Sequence, residues 1–193
     1  MQIIQFPHPT LRHVSKPLKR VDADLHRMVR EMFDLMYEAK GIGLAANQVD
    51  LPYRLFVINL TADPQQREQE FVFINPVITK RSGNAEAEEG CLSLPGLYGM
   101  VKRPEKIRVN AYNLAGNEVT LDLDGLFARA VQHELDHLDG VLFIDRLSPT
   151  GLLEAKEALG EFTMMYNGHR ERNEIPTDEQ IAARTAELEK LRT

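Results

Sequence analysis

The sequence contains only one cysteine among its 193 residues, so no internal disulfide can form. Chains without disulfides are typical of reducing compartments. No apolar stretch approaches the roughly 20 residues that span a membrane, and the first residues lack the apolar region of a signal peptide. The formal net charge is −6, with no basic cluster of the kind that nucleic acids require. These absences predict a cytoplasmic protein that binds neither membranes nor specific nucleic-acid sequences.

Length and composition favour one domain with one core, since 43% of the residues are hydrophobic. Residues 22–39 have the apolar periodicity of an amphipathic helix. A second helix should follow Gly125 and end near Leu138, before an Asp-Gly pair. Strands without regular alternation with helices predict an α+β fold. The strand-like runs, separated by loops rich in proline, glycine and acidic residues, are residues 54–60, 71–78, 107–113 and 119–123.

The most informative segment is Q-H-E-L-D-H at residues 132–137, within this second helix. A spacing of four residues puts His133 and His137 one turn apart on one helix face, so both imidazoles can bind one metal ion. Glu134 adds a carboxylate beside that ion, where it can move protons to and from a bound water. The alternative is a surface helix that carries two histidines by chance, which the apolar flanks disfavour.

The single cysteine, Cys91, lies in E-G-C-L-S at residues 89–93. Most isolated cysteines are small buried apolar residues. Here a glycine neighbour and three preceding glutamates argue against a position in the core. A thiolate would complete a Cys-His-His ligand set and leave a fourth position open, as a catalytic metal site requires. The sequence therefore predicts Cys91 as the third ligand.

A third segment, G-I-G-L-A-A-N-Q at residues 41–48, indicates a sharp turn or a close approach of the backbone. In this order the three segments resemble the motifs of the peptide deformylase family, G-x-G-x-A-A-x-Q, E-G-C-x-S and Q-H-E-x-D-H. All three are complete here, and F-P-H-P-T-L-R at residues 6–12 is similar to the family's opening. The resemblance covers about residues 3–147.

The resemblance implies metal-dependent removal of the N-formyl group from formyl-methionyl nascent peptides, with transient ribosome association. It implies short, mostly antiparallel sheets around the metal-binding helix. It also implies one divalent ion, with Fe²⁺ as the native ion and Zn²⁺ often found after aerobic purification. The ligand set itself accepts Zn²⁺, Fe²⁺, Co²⁺ or Ni²⁺.

The expected reaction is attack of an activated water on the formyl carbon. Glu134 takes the proton of that water and later delivers it to the departing amine. By their positions in the family, the side-chain amide of Gln48 and the backbone N–H of Leu92 stabilise the oxyanion.

Substrate selection should depend on an apolar pocket beside the metal. Leu126 and Ala130 share a helix stripe with the two histidines, so pocket wall and ligands come from one face. By resemblance, Gly43 lines this pocket, and the backbone of Ile42 and Gly90 holds the peptide like an added strand. Arg129 replaces an aliphatic residue of some family members, and its stem is expected to line the rim with the charge in water.

Two other functions are compatible with parts of this pattern. A zinc metalloprotease shares H-E-x-x-H, but its third ligand usually follows the motif, and the only later histidine, His169, lies in a polar segment. A non-catalytic metal-binding or ribosome-associated protein would normally have lost Glu134, Gln48 or a ligand. A formyl-methionyl peptide, tested beside an acetylated peptide and an internal peptide bond, would separate the three.

Residues 149–193 differ in character from residues 1–148, which we predict to be the catalytic domain. Residues 152–165 and 178–191 have helical patterns, and residues 167–176 are expected to form a polar connector. We predict a helical extension of the same domain, with the second helix largely solvated.

Overall fold

The computed structural model describes all 193 residues, which form four α-helices and seven β-strands. The helices are α1 (Ala23–Glu38), α2 (Gly125–Leu138), α3 (Pro149–Glu171) and α4 (Asp178–Arg192). The strands are β1 (Gly43–Ala45), β2 (Leu55–Ile58), β3 (Phe71–Ser82), β4 (Ala85–Cys91), β5 (Leu94–Arg103), β6 (Lys106–Tyr112) and β7 (Glu118–Asp124). None of the helices is both long and apolar enough to span a bilayer.

The strands form two separate antiparallel sheets. Five strands pair in the order β1-β2-β3-β6-β7, and β4 and β5 form a hairpin that shares no strand with the larger sheet. The predicted α+β class, with short antiparallel sheets around one helix, is confirmed. The hairpin is important for the site, because Cys91 is the last residue of β4.

Helix α2 lies in the centre of the molecule, as its sequence predicts. Its apolar residues Val131 and Leu135 pack against Phe56 and Phe73 of the larger sheet. The helix ends at Leu138, and Gly140 adopts a positive φ of 71°. A Cβ atom at Gly140 would lie 2.6 Å from the carbonyl oxygen of Arg12, so only glycine fits both the backbone and the space there.

All four predicted strands and helix α1 form within a few residues of their expected ends. Asp22 caps α1 by accepting a hydrogen bond from the Leu25 N–H at 2.9 Å. The hairpin β4–β5, however, lies where we expected acidic loops. Its glutamates alternate with small residues, and Glu86 faces Lys102 of the opposite strand. Opposite charges at facing positions of two strands favour their pairing, although the acidic composition of β4 does not suggest a strand.

The C-terminal region forms the two helices that its patterns predict, with a shorter connector between them. Helix α3 runs through Glu171, so the prediction of a connector from residue 167 was wrong over its first five residues. Polar residues can continue a helix once it is nucleated. They show no apolar periodicity, so the sequence pattern does not indicate this part of the helix. Helix α4 forms at residues 178–192 and packs on the body of the molecule, with Ile181, Thr185, Glu189 and Arg192 buried. Glu189 accepts hydrogen bonds from Lys16 at 2.6 Å and pairs with His13 at 2.9 Å.

Candidate metal centre

The three predicted ligands meet where the β4–β5 hairpin approaches α2. One ligand atom each from Cys91, His133 and His137 lies within 4.8 Å of the other two. The Sγ of Cys91 is 3.3 Å from Nε2 of His137. The other four histidines form no such group with an acidic residue or a cysteine. The cluster therefore combines one thiol from the hairpin with two imidazoles from the helix.

Two hydrogen-bond donors are directed at the sulfur of Cys91. The backbone N–H of Ser93 and the side-chain amide of Gln48 both donate hydrogen bonds to Sγ at 3.4 Å. Donors directed at sulfur stabilise its anionic form, which is the form that binds metals. The tight turn that follows β4 brings the Ser93 N–H into this position, since Cys91 pairs with Leu94 across it.

Glu89 orients the first histidine. Its Oε2 accepts a hydrogen bond from Nδ1 of His133 at 3.0 Å, and Arg103 donates to both carboxylate oxygens at 2.6 and 2.8 Å. Burial alone would raise the pKa of Glu89, but the hydrogen bonds of Arg103 and His133 outweigh it and hold the pKa well below its usual range. An ionised carboxylate on Nδ1 leaves Nε2 of His133 for the ligand cluster.

Sequence reasoning missed these two supporting residues. Glu89 is the first residue of the E-G-C-x-S motif, but in the sequence it is only one of three glutamates that precede Cys91. No local signal marks Arg103, because its partners are 14 and 33 residues away in the sequence.

Glu134 is buried beside the cluster, and its Oε2 has no hydrogen-bond partner. Burial raises the pKa of this carboxyl group to about 7. Buried polar atoms in proteins are nearly always paired. A thiolate, two imidazoles and an unpaired carboxylate oxygen together fit one divalent ion with a position left for water or substrate.

Gln48 lies beside the ligands, in a short 3₁₀ helix at Ala46–Val49. Its Oε1 accepts a hydrogen bond from the Ala45 N–H at 2.8 Å, which directs Nε2 toward Sγ of Cys91 and Oγ of Ser93. Leu92 follows Cys91 in the hairpin turn. The structure thus brings Gln48, Leu92 and Glu134 around the same cluster.

The residues predicted for peptide binding lie either beside Glu134 and on α2, or at the edges of strands. Gly43 lies against Glu134, because a Cβ atom at Gly43 would be 2.4 Å from Oε1 of that carboxylate. Ala130 is buried, whereas Leu126 at the start of α2 is 56% exposed. Gly43 is in β1, directly after Ile42, and Gly90 is in β4. Each of these strands has one unpaired edge.

The expectation that the charge of Arg129 lies in water was wrong. Its guanidinium group donates to Oε1 of Glu89 at 2.7 Å and to the carbonyl oxygens of Val101 and Ala85 at 2.9 and 2.8 Å. Only 12% of the side chain is exposed. Three acceptors on the neighbouring hairpin hold the group away from solvent, which helix periodicity alone could not reveal.

Known proteins share long stretches of this sequence and its fold. The model of the polypeptide deformylase family matches residues 1–152. The chain belongs to the peptide deformylase family. It is similar to the peptide deformylase of Rhodopirellula baltica, with 51% identity over the whole chain and 96% of the relative. It is 49% identical to that of Neisseria gonorrhoeae over 77% of this chain and 87% of the relative.

A solved peptide deformylase from Plasmodium falciparum has the same fold, with a TM-score of 0.85 and 39% identity over 86% of this chain and 98% of that one. The family comprises hydrolases that remove the N-formyl group from nascent peptides, and the chain is an enzyme of this kind. The metalloprotease alternative is not favoured, because the family match includes the segment that supplies Cys91.

Proposed function

We propose that Cys91, His133 and His137 hold one divalent ion and that this ion serves hydrolysis of the formyl group of formyl-methionyl peptides. When bound, such an ion activates water as a nucleophile near neutral pH and polarises the carbonyl group under attack. The observation that supports the proposal is the ligand cluster beside a buried carboxylate with an unpaired oxygen.

Glu134 is the proton carrier in this proposal. Its unpaired Oε2 accepts the proton of the attacking water and then delivers it to the nitrogen of the departing amine. The burial that raises its pKa to about 7 suits both directions of transfer, because a carrier works best when its pKa lies near the working pH.

Gln48 and Leu92 are proposed to stabilise the negative charge on the formyl oxygen. The Gln48 amide is oriented by the Ala45 N–H, so the donor is in place before the reaction begins. Preorganised donors of this type contribute about 3–4 kcal/mol of transition-state stabilisation each.

The peptide is proposed to bind between the unpaired edges of β1 and β4. Ile42 and Gly90 offer backbone groups there, and an extended peptide can add to such an edge as a strand. The methionine side chain then enters a pocket bordered by Gly43, Ala130, Leu126 and the aliphatic stem of Arg129.

Gly43→Ala should lower kcat/KM strongly with little loss of bound metal. The new Cβ atom would overlap Oε1 of Glu134, so the carboxylate must move away from the water that it serves. A displacement of about 1 Å of a catalytic group typically lowers the rate about 100-fold. Steady-state kinetics and elemental analysis measure the two effects, with Gly160→Ala as the control, because a Cβ at Gly160 meets nothing. Unchanged kinetics would contradict the placement of Glu134.

The proposed activity is tested with three substrates: a formyl-methionyl peptide, the matching acetyl-methionyl peptide and a longer peptide with internal bonds only. We expect formate release from the first and no turnover of the other two. Cleavage of internal bonds would favour a protease, and no turnover by the metal-loaded protein would favour a non-catalytic binding protein.

We propose Fe²⁺ as the native ion, with Zn²⁺, Ni²⁺ and Co²⁺ as substitutes that the same ligands accept. Affinity order alone does not decide among them. Elemental analysis after anaerobic purification, together with activity per bound metal, tests the assignment. Zinc as both the dominant and the most active ion would overturn it.

Cytoplasmic location and transient ribosome association complete the proposal, supported by the nascent-chain substrate class.

Residues 1–148 would be the catalytic part and residues 149–193 a helical extension of the same folding unit, because α4 buries Ile181 and Glu189 against the body. Thermal unfolding should therefore show one calorimetric transition, and Ile181→Asp should lower its midpoint as a whole. A separate transition for the extension would contradict a single unit.

A further inference from the structure

The metal ligands come from two parts of the fold that are not joined by backbone hydrogen bonds between strands. Cys91 belongs to the β4–β5 hairpin, whereas His133 and His137 belong to α2. The Sγ of Cys91 can approach the imidazoles only if the hairpin is held at a fixed distance from the helix. The hairpin packs on the core through Leu94, Leu97 and Val101, and side chains that cross the gap to α2 help to hold the three ligands together before an ion binds.

Two arginines cross the gap in opposite directions. Arg103, on β5, contacts Glu89 of β4 and donates to Oδ2 of Asp136 on α2 at 2.6 Å. Arg129, on α2, reaches back to Glu89 and to carbonyl oxygens on both hairpin strands, Ala85 of β4 and Val101 of β5. Arg129 is thus the helix residue whose side chain contacts both strands of the hairpin.

The contacts of Arg129 converge on the residue that orients His133. Oε1 of Glu89 accepts hydrogen bonds from both arginines, and Oε2 accepts from Arg103 and from Nδ1 of His133. Arg129 has no partner among the three ligands themselves. Any effect that it has on them must pass through Glu89 and through the position of the hairpin.

We propose that Arg129 is a positioning residue for the metal centre: its guanidinium group clamps the Cys91 hairpin onto α2 and preassembles the three ligands. The planar fork of arginine can bind several fixed acceptors at once, which a lysine ammonium cannot match. Outer residues that orient ligands typically contribute 10–100-fold to metal affinity. This inference rests on the proposed metal site and goes beyond it in assigning a role to a residue that binds no metal.

Arg129→Met keeps the length and apolar character of the stem and removes the clamp. We expect the affinity for Co²⁺, measured by competition with a chelator, to fall at least tenfold, while circular dichroism stays unchanged. The sulfur-to-cobalt absorption band, which reports Cys91 ligation, should weaken relative to the total bound cobalt. Arg129→Lys should give an intermediate affinity. Arg108→Met, which removes the exposed pair with Asp122, is the control and should bind cobalt as the wild type does.

Hydrogen exchange of the metal-free protein gives a test that needs no bound metal. The clamp predicts that β4 and β5 amides stay protected without metal, and that Arg129→Met loses this protection. Equal cobalt affinity and equal absorption in wild type and Arg129→Met would overturn the clamp, as would hairpin amides that exchange freely in the metal-free wild type. Absence of the sulfur-to-cobalt band from the wild type would instead overturn the proposed metal site.

Discussion

Replacing Glu134 by glutamine should abolish nearly all deformylation while the metal stays bound. Glutamine has almost the same size, so it can occupy the buried space beside Gly43, but its amide cannot accept a proton from water. Loss of a positioned proton carrier typically lowers a rate by about 100- to 10,000-fold. We expect kcat for a formyl-methionyl peptide to fall within this range, with unchanged metal content and thermal stability at least equal to that of the wild type.

Stability is part of this prediction because the Glu134 carboxylate has an unpaired oxygen in the interior. Burial disfavours ionisation of this carboxyl group, and a neutral amide has no charged form that must be desolvated. Glu157→Gln, at an exposed position on α3, is the matched control and should leave both rate and stability unchanged. If Glu134→Gln lost its metal and kept most of its activity, Glu134 would be a ligand or a structural residue.

The metal-binding helix and two of its ligands could be predicted from the sequence because their relation is local. Four residues of spacing determine that His133 and His137 share a helix face, and α2 forms at the expected position. Cys91 was predicted from its residue type and its motif. Its distance from the imidazoles depends on the packing of the β4–β5 hairpin. The sequence did not predict this hairpin, because the composition of β4 is acidic.

The side chains that support the ligands could not be predicted for the same reason. Arg103 and Arg129 meet at Glu89 only after residues 14 and 40 positions apart in the sequence are brought together. A charged residue on a helix is usually solvated, and Arg129 was therefore expected in water. Only tertiary packing supplies the three acceptors that bury its guanidinium group. The local sequence contains no pattern that predicts long-range contacts of this kind.

The second large effect is expected for Cys91→Ser, which should lower metal affinity far more than it alters the fold. Serine has nearly the same size, but its hydroxyl stays protonated near neutral pH and binds metals weakly. The donors at Ser93 N–H and Gln48 Nε2, which stabilise a thiolate, would face a neutral oxygen. Loss of an outer partner alone costs 10–100-fold, so loss of a direct ligand should cost on the order of 100-fold or more.

Titration with Co²⁺ or Zn²⁺ against a chelator measures this affinity, and excess metal should restore part of the activity of Cys91→Ser. Cys91→Ala should be restored less, because alanine offers no oxygen ligand. Since Cys91 is the only cysteine, a thiol reagent should label the metal-free enzyme at one site and the metal-loaded enzyme much more slowly. A formyl thioester trapped on Cys91 during turnover would make the residue a nucleophile, because its sulfur would then bond to the formyl carbon rather than hold the ion.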